Sequence, residues 1–74
     1  MYSHAVHQAY TEIKNPAFHV NCATSTIRGV MAQQRAEDPT YVPHLYSHLT
    51  NKINRSPRSR NEKQELRSTL DQFI

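Results

Sequence analysis

Val42-Pro43-His44-Leu45-Tyr46-Ser47-His48-Leu49-Thr50-Asn51-Lys52-Ile53 is the stretch that decides the fold. Val42, Leu45, Leu49 and Ile53 recur at steps of three and four, which gathers them on one stripe of an α-helix with Tyr46 beside it. Pro43 falls in the first turn, where its missing N–H is harmless. Ahead of it, Glu37-Asp38-Pro39 reads as a turn that gives the helix a negative charge at its N-terminus. Behind it, Asn54-Arg55-Ser56-Pro57-Arg58-Ser59 breaks the helix with turn formers and a proline.

Downstream, Ser59-Arg60-Asn61-Glu62 has the form of a capping box, in which serine and glutamate satisfy each other's free backbone donors. A helix follows with Leu66, Leu70 and Phe73 on one face and Ile74 adjoining, and Arg67 and Asp71 are placed to pair at i, i+4. Upstream, a helix from about residue 24 to 36 is clear, while residues 16–24 admit two readings. Phe18, Val20, Cys22, Thr24 and Thr26 alternate as a strand would, but no second alternating run exists for it to pair with. The helical reading puts Val20, Ala23, Ile27, Val30 and Met31 inward, with a start as late as Thr24 or Ser25. Gly29 in its middle costs about 1 kcal/mol against alanine, which suggests the close approach of another helix. At the other end, Val6, Ala9, Tyr10 and Ile13 share one stripe of a helix over residues 3–13, closed by Asn15-Pro16. The fold class is therefore all-α: a small bundle of three to four short helices in one domain spanning residues 1–74.

The 74 residues include fourteen Leu, Ile, Val and Phe, close to the floor for unaided folding. A second copy or a partner is accordingly expected to complete the core, with a homodimer as the simplest form. One glycine excludes the glycine-rich phosphate loops of nucleotide enzymes, and one cysteine excludes an internal disulfide and the zinc modules built on paired cysteines. His44 and His48 share a helix face, but two ligands do not make a metal site. Cys22 lacks a visible base or orienting group and reads as a small buried thiol. No catalytic residue, metal or cofactor is assigned. The first twenty residues contain no secretory core, no stretch nears the roughly 18 apolar residues of a membrane span, and one unpaired thiol suits a reducing compartment. A cytoplasmic chain with no membrane partner is expected.

Charge divides unevenly along the sequence. Residues 1–50 balance Lys14, Arg28 and Arg35 against Glu12, Glu37 and Asp38, so the formal excess of +3 lies in the last third. There, Lys52, Arg55, Arg58, Arg60, Lys63 and Arg67 form a basic segment suited to an acidic surface or to phosphates. The tyrosines Tyr2, Tyr10, Tyr41 and Tyr46 suit either the rim of a thin core or an interface.

Two functions follow as expectations. The first is a small non-enzymatic regulatory or inhibitory protein that docks on another protein through Leu45, Tyr46, Leu49, Ile53, Leu66, Leu70 and Phe73. Its apolar stripes would exceed what one thin core covers, and the cations would steer the encounter. The second is a helix-turn-helix DNA-binding regulator, with the basic 52–67 segment on phosphates. Four phosphate contacts would give a slope of log affinity against log salt near about −3.6. Glu37 and Asp38 at the start of the reading helix count against it.

Overall fold

The computed structural model describes residues 4–74. Four α-helices follow one another: α1 His4–Lys14, α2 Val20–Glu37, α3 Val42–Asn54 and α4 Arg60–Asp71, with a 3-10 turn, Pro39–Tyr41, leading into α3. The all-α class expected from periodicity is the class observed. α2 and α3 form the central pair; α1 packs against both on one flank and α4 against both on the other. Tyr2 lies outside the described residues.

The inward stripes are the ones the spacing gives. Val6, Ala9 and Ile13 of α1, Val20, Ala23, Ile27, Val30 and Met31 of α2, Val42, Leu45, Leu49 and Ile53 of α3, and Leu66 and Leu70 of α4 form one buried cluster. The radius of gyration, 11.1 Å, matches the roughly 11 Å of a globular chain of this length. The expectation of surplus apolar stripes on α3 and α4 is therefore corrected. α2 is long enough to reach both of its neighbours, so the leucines are covered by the chain's own helices. Among the described residues, Phe18 and Ile74 are the large apolar side chains left in the open.

Residues 16–24, ambiguous in sequence, resolve into a turn and a helix. The Asn15 side chain accepts from the Ala17 N–H at 3.0 Å, holding the turn. α2 then starts at Val20, where His19 Nδ1 accepts from the Asn21 N–H as the cap. Thr24 and Thr26 are weak helix formers, but the Thr24 hydroxyl donates to Asn21 O, and the single Thr26 hydroxyl proton is shared between Cys22 O at 3.0 Å and the Glu12 carboxylate at 2.6 Å. Burial of Val20, Ala23 and Ile27 outweighs propensity here. Two local expectations fail. No atom outside its own helix would lie within 4 Å of a Cβ at Gly29, so no helix approaches it closely. Cys22 is exposed, because it lies off the stripe that Val20, Ala23 and Ile27 bury.

The capping box at α4 is half formed. Ser59 accepts from the Glu62 N–H, but the Glu62 carboxylate pairs with Arg58 at 3.0 Å. Likewise, Arg67 bonds to Asn54 and Gln64, while Asp71 accepts from the Tyr46 hydroxyl at 2.6 Å; the expected Arg67–Asp71 pair gives way to these contacts.

No described residue has the left-handed backbone with which many helices close. Backbone N–H groups of the following turns close part of each helix end, and at α1 and α3 side chains supply further donors. At the end of α1, Arg58 donates to four backbone carbonyls: Ile13 (3.1 Å), Glu12 (2.6 Å), Asn15 (3.0 Å) and Phe18 (2.8 Å). Ser56 Oγ adds a bond to Ile13 O at 2.7 Å and accepts from the Arg58 N–H. At the end of α3, Lys63 Nζ donates to Asn54 O at 3.1 Å. Cations on the loop and helix that follow α3 thus supply donors at helix ends that other chains close through a glycine.

Candidate basic groove between α1 and α3

Helical spacing sets His7, Tyr10, Thr11 and Lys14 along one side of α1. α3 and its C-terminal loop bring Lys52, Arg55 and Ser56 to face them, and the seven residues line a groove of about 370 Å³. Three full positive charges enter this space, and no carboxylate lines it. Lys52 Nζ lies 5.2 Å from the centroid of the Tyr10 ring, within cation–π range, so the ammonium is held across the seam between the helices.

The missing acid has a structural cause. Glu12, the carboxylate on α1, is turned toward α2 and buried, accepting from Gln8 Nε2 at 2.9 Å and from Thr26. α3 contains no Asp or Glu. Among the described residues the ion pair that forms is Arg58–Glu62, which leaves Lys14, Lys52 and Arg55 with no carboxylate partner. A second cavity, of about 280 Å³, shows the opposite sign: Glu37 and Asp38 line it with Gln33, Gln34 and Tyr41, and no cation does.

The basic segment of the sequence therefore splits by position. Lys52 and Arg55 face the groove, and Arg60 is exposed at the start of α4. Arg58, named from sequence as a phosphate or acidic-partner contact, has a side chain with no exposed surface; it cannot touch a phosphate while the fold is intact. Lys63 and Arg67 are half-buried and bonded to Asn54. The protein-interface set is displaced in the same way. Leu45, Leu49, Ile53, Leu66 and Leu70 are internal, at 0–2 % exposure, while Tyr46 and Phe73 are half-buried at the rim of the core. Phe73 lies under the Arg35 guanidinium at 4.9 Å.

Lys14 was not singled out in the sequence because it stands alone on a charge-balanced half of the chain. The signal was spatial, since α1 and α3 are 38 residues apart at Lys14 and Lys52. His44 and His48 are exposed, and among the described residues no three His, Cys, Asp or Glu side chains come together as metal ligands. No helix of the described residues is long and apolar enough to cross a membrane. Comparison with protein-family models, with curated proteins and with solved structures finds no match.

Proposed function

We propose that the protein is a small non-enzymatic nucleic-acid binder that sets its α1/α3 side against phosphates. The observation carrying this reading is the groove itself, in which Lys14, Lys52 and Arg55 meet without a carboxylate partner. Exposed cations of this kind release counterions when they neutralise phosphates, which supplies most of the affinity of a sequence-independent contact. The α2–turn–α3 arrangement fits the reading as well. His44, Ser47, His48 and Asn51 lie open along α3 ahead of Lys52, offering hydrogen-bonding groups on an exposed helix face. Glu37 and Asp38 still count against this part of the reading: both are exposed ahead of α3, where Asp38 accepts from Thr40 N and Oγ1 as the cap of the 3-10 turn.

The protein-docking regulator is the weaker reading, because its five aliphatic anchors are consumed by the core and no second copy is needed to cover them. Fluorescence anisotropy with labelled duplex DNA at several salt concentrations separates the two. Three phosphate contacts give a slope of about −2.7 in log affinity against log salt, shallower than the about −3.6 of a site built on Arg55, Arg58, Arg60 and Lys63. Lys52→Gln with Arg55→Gln removes most of that slope, whereas Arg60→Ala leaves it nearly intact. Absence of binding at low salt ends the nucleic-acid reading.

A further inference from the structure

The cations of the groove converge on one cavity rather than spreading along a track. A phosphodiester backbone presents single negative charges in a row and is best met by cations in a row, while a phosphomonoester concentrates nearly two negative charges on one group. We propose that the α1/α3 groove is a seat for a terminal phosphate, a phosphomonoester held by Lys14, Lys52 and Arg55. The proposal rests on the reading of this side of the molecule as the phosphate-facing one, and it names the form of phosphate.

The groove's size agrees. At about 370 Å³ it stands at the low end of the roughly 300–1,000 Å³ typical of small-molecule sites, enough for one phosphate and the sugar bearing it. The donors are specific as well. Thr11 Oγ1 already donates to His7 O, and Ser56 Oγ to Ile13 O, so these two hydroxyls are committed and the charged donors of the lining are the two ammonium groups and the guanidinium. Arg55 supplies the planar fork that matches phosphate geometry, and the lysines act as point charges around it.

One feature of the site would ordinarily oppose an anion: the groove lies near the C-terminus of α1, where free carbonyls carry the negative end of the helix dipole. Here those carbonyls are already neutralised. Glu12 O and Ile13 O accept from the buried Arg58 guanidinium, and Ser56, which lines the groove, shares Ile13 O with it. A cation with no exposed surface thus sits one hydrogen bond behind the groove lining and cancels the field an incoming phosphate would meet.

The test uses the full chain, ¹⁵N-labelled, titrated with inorganic phosphate and with a short single-stranded oligonucleotide in 5′-phosphorylated and 5′-hydroxyl forms. The phosphorylated form is expected to bind at least about fivefold more tightly, the scale of one charge facing exposed cations at contact distance in water, since the monoester adds nearly two. Inorganic phosphate should shift the amides of Thr11, Lys14, Lys52 and Arg55 saturably. Lys52→Gln, on an exposed side chain outside the core, should erase the difference between the oligonucleotides while leaving the spectrum folded. If both oligonucleotides bind equally, the nucleic-acid reading stands and the terminal-phosphate seat is overturned. If neither binds but inorganic phosphate saturates the groove, the seat stands for a free phosphate ligand and the nucleic-acid reading falls. If nothing shifts the groove resonances, the seat is wrong.

Discussion

The two seams along α3 are lined by similar residues put to different use. On the α4 side, Lys63 and Arg67 reach back to Asn54, and Tyr46 donates to Asp71, so charge and hydroxyl are tied to the chain. On the α1 side, Lys14, Lys52 and Arg55 have no carboxylate partner. The sharpest contrast lies within one loop. Arg55 and Arg58 stand three residues apart; the first is exposed at the groove and the second is sealed beneath α1. A cation is structural or available according to whether unsatisfied carbonyls lie within its reach, and composition does not distinguish the two cases.

Arg58→Ala is the strongest way to break the contrast. The Glu62 partner is 39 % exposed, so the cost falls mainly on the carbonyls left without a donor, about 1–3 kcal/mol for each one that is buried, set against a whole stability of roughly 4–11 kcal/mol for a chain this long. Circular dichroism melts should find the variant largely unfolded near physiological temperature, and Arg58→Lys, with its single ammonium in place of a fork, only partly restored. Next in size is Ser56→Ala, expected to cost about 1–2 kcal/mol in denaturant titration through the loss of a buried bond to Ile13 O.

Gly29→Ala works in the other direction. The position is exposed, mid-helix and open to a Cβ, so the substitution should stabilise by about 1 kcal/mol and raise the folded fraction of Arg58→Lys enough to compare it with the parent. Arg55→Ala should move the melting curve by no more than about 0.5 kcal/mol, while reducing the salt slope of DNA binding by about 0.9. A large stability loss at Arg55, or none at Arg58, would remove the distinction between the two sides.

The smallest effect concerns the α4 seam. The hydrogen bond to Asp71, and then partial desolvation, raise the Tyr46 hydroxyl above the ordinary tyrosine value. A raised folded value means that the contribution is fully present below the usual value of about 10 and fades as pH climbs through the folded one. Melting curves at about pH 9 and 11 should therefore differ more for the parent chain than for Tyr46→Phe.

Much of the fold was legible because its signals are local. The stripes of α3 and of the later part of α2 follow from spacing alone, and the inward residues Val20 and Ala23 emerged once a lone strand was rejected. The groove and the Arg58 clamp were not legible. Arg58 sits among arginine, serine and asparagine, a composition that reads as a solvated run, and its acceptors lie 40–46 residues upstream. One indirect signal existed: with a single glycine in the middle of a helix, no helix end can use the common glycine closure, so other donors have to supply it. The loop cations are the nearest source.

The span of those bonds bears on how the molecule is made. Residues 12–18 precede residue 58 in the chain, and until the loop after α3 packs against them the Glu12 and Ile13 carbonyls lack the Arg58 and Ser56 donors that close them. The end of α1 is thus completed by a contact that spans more than half the sequence, and a single arginine makes most of it.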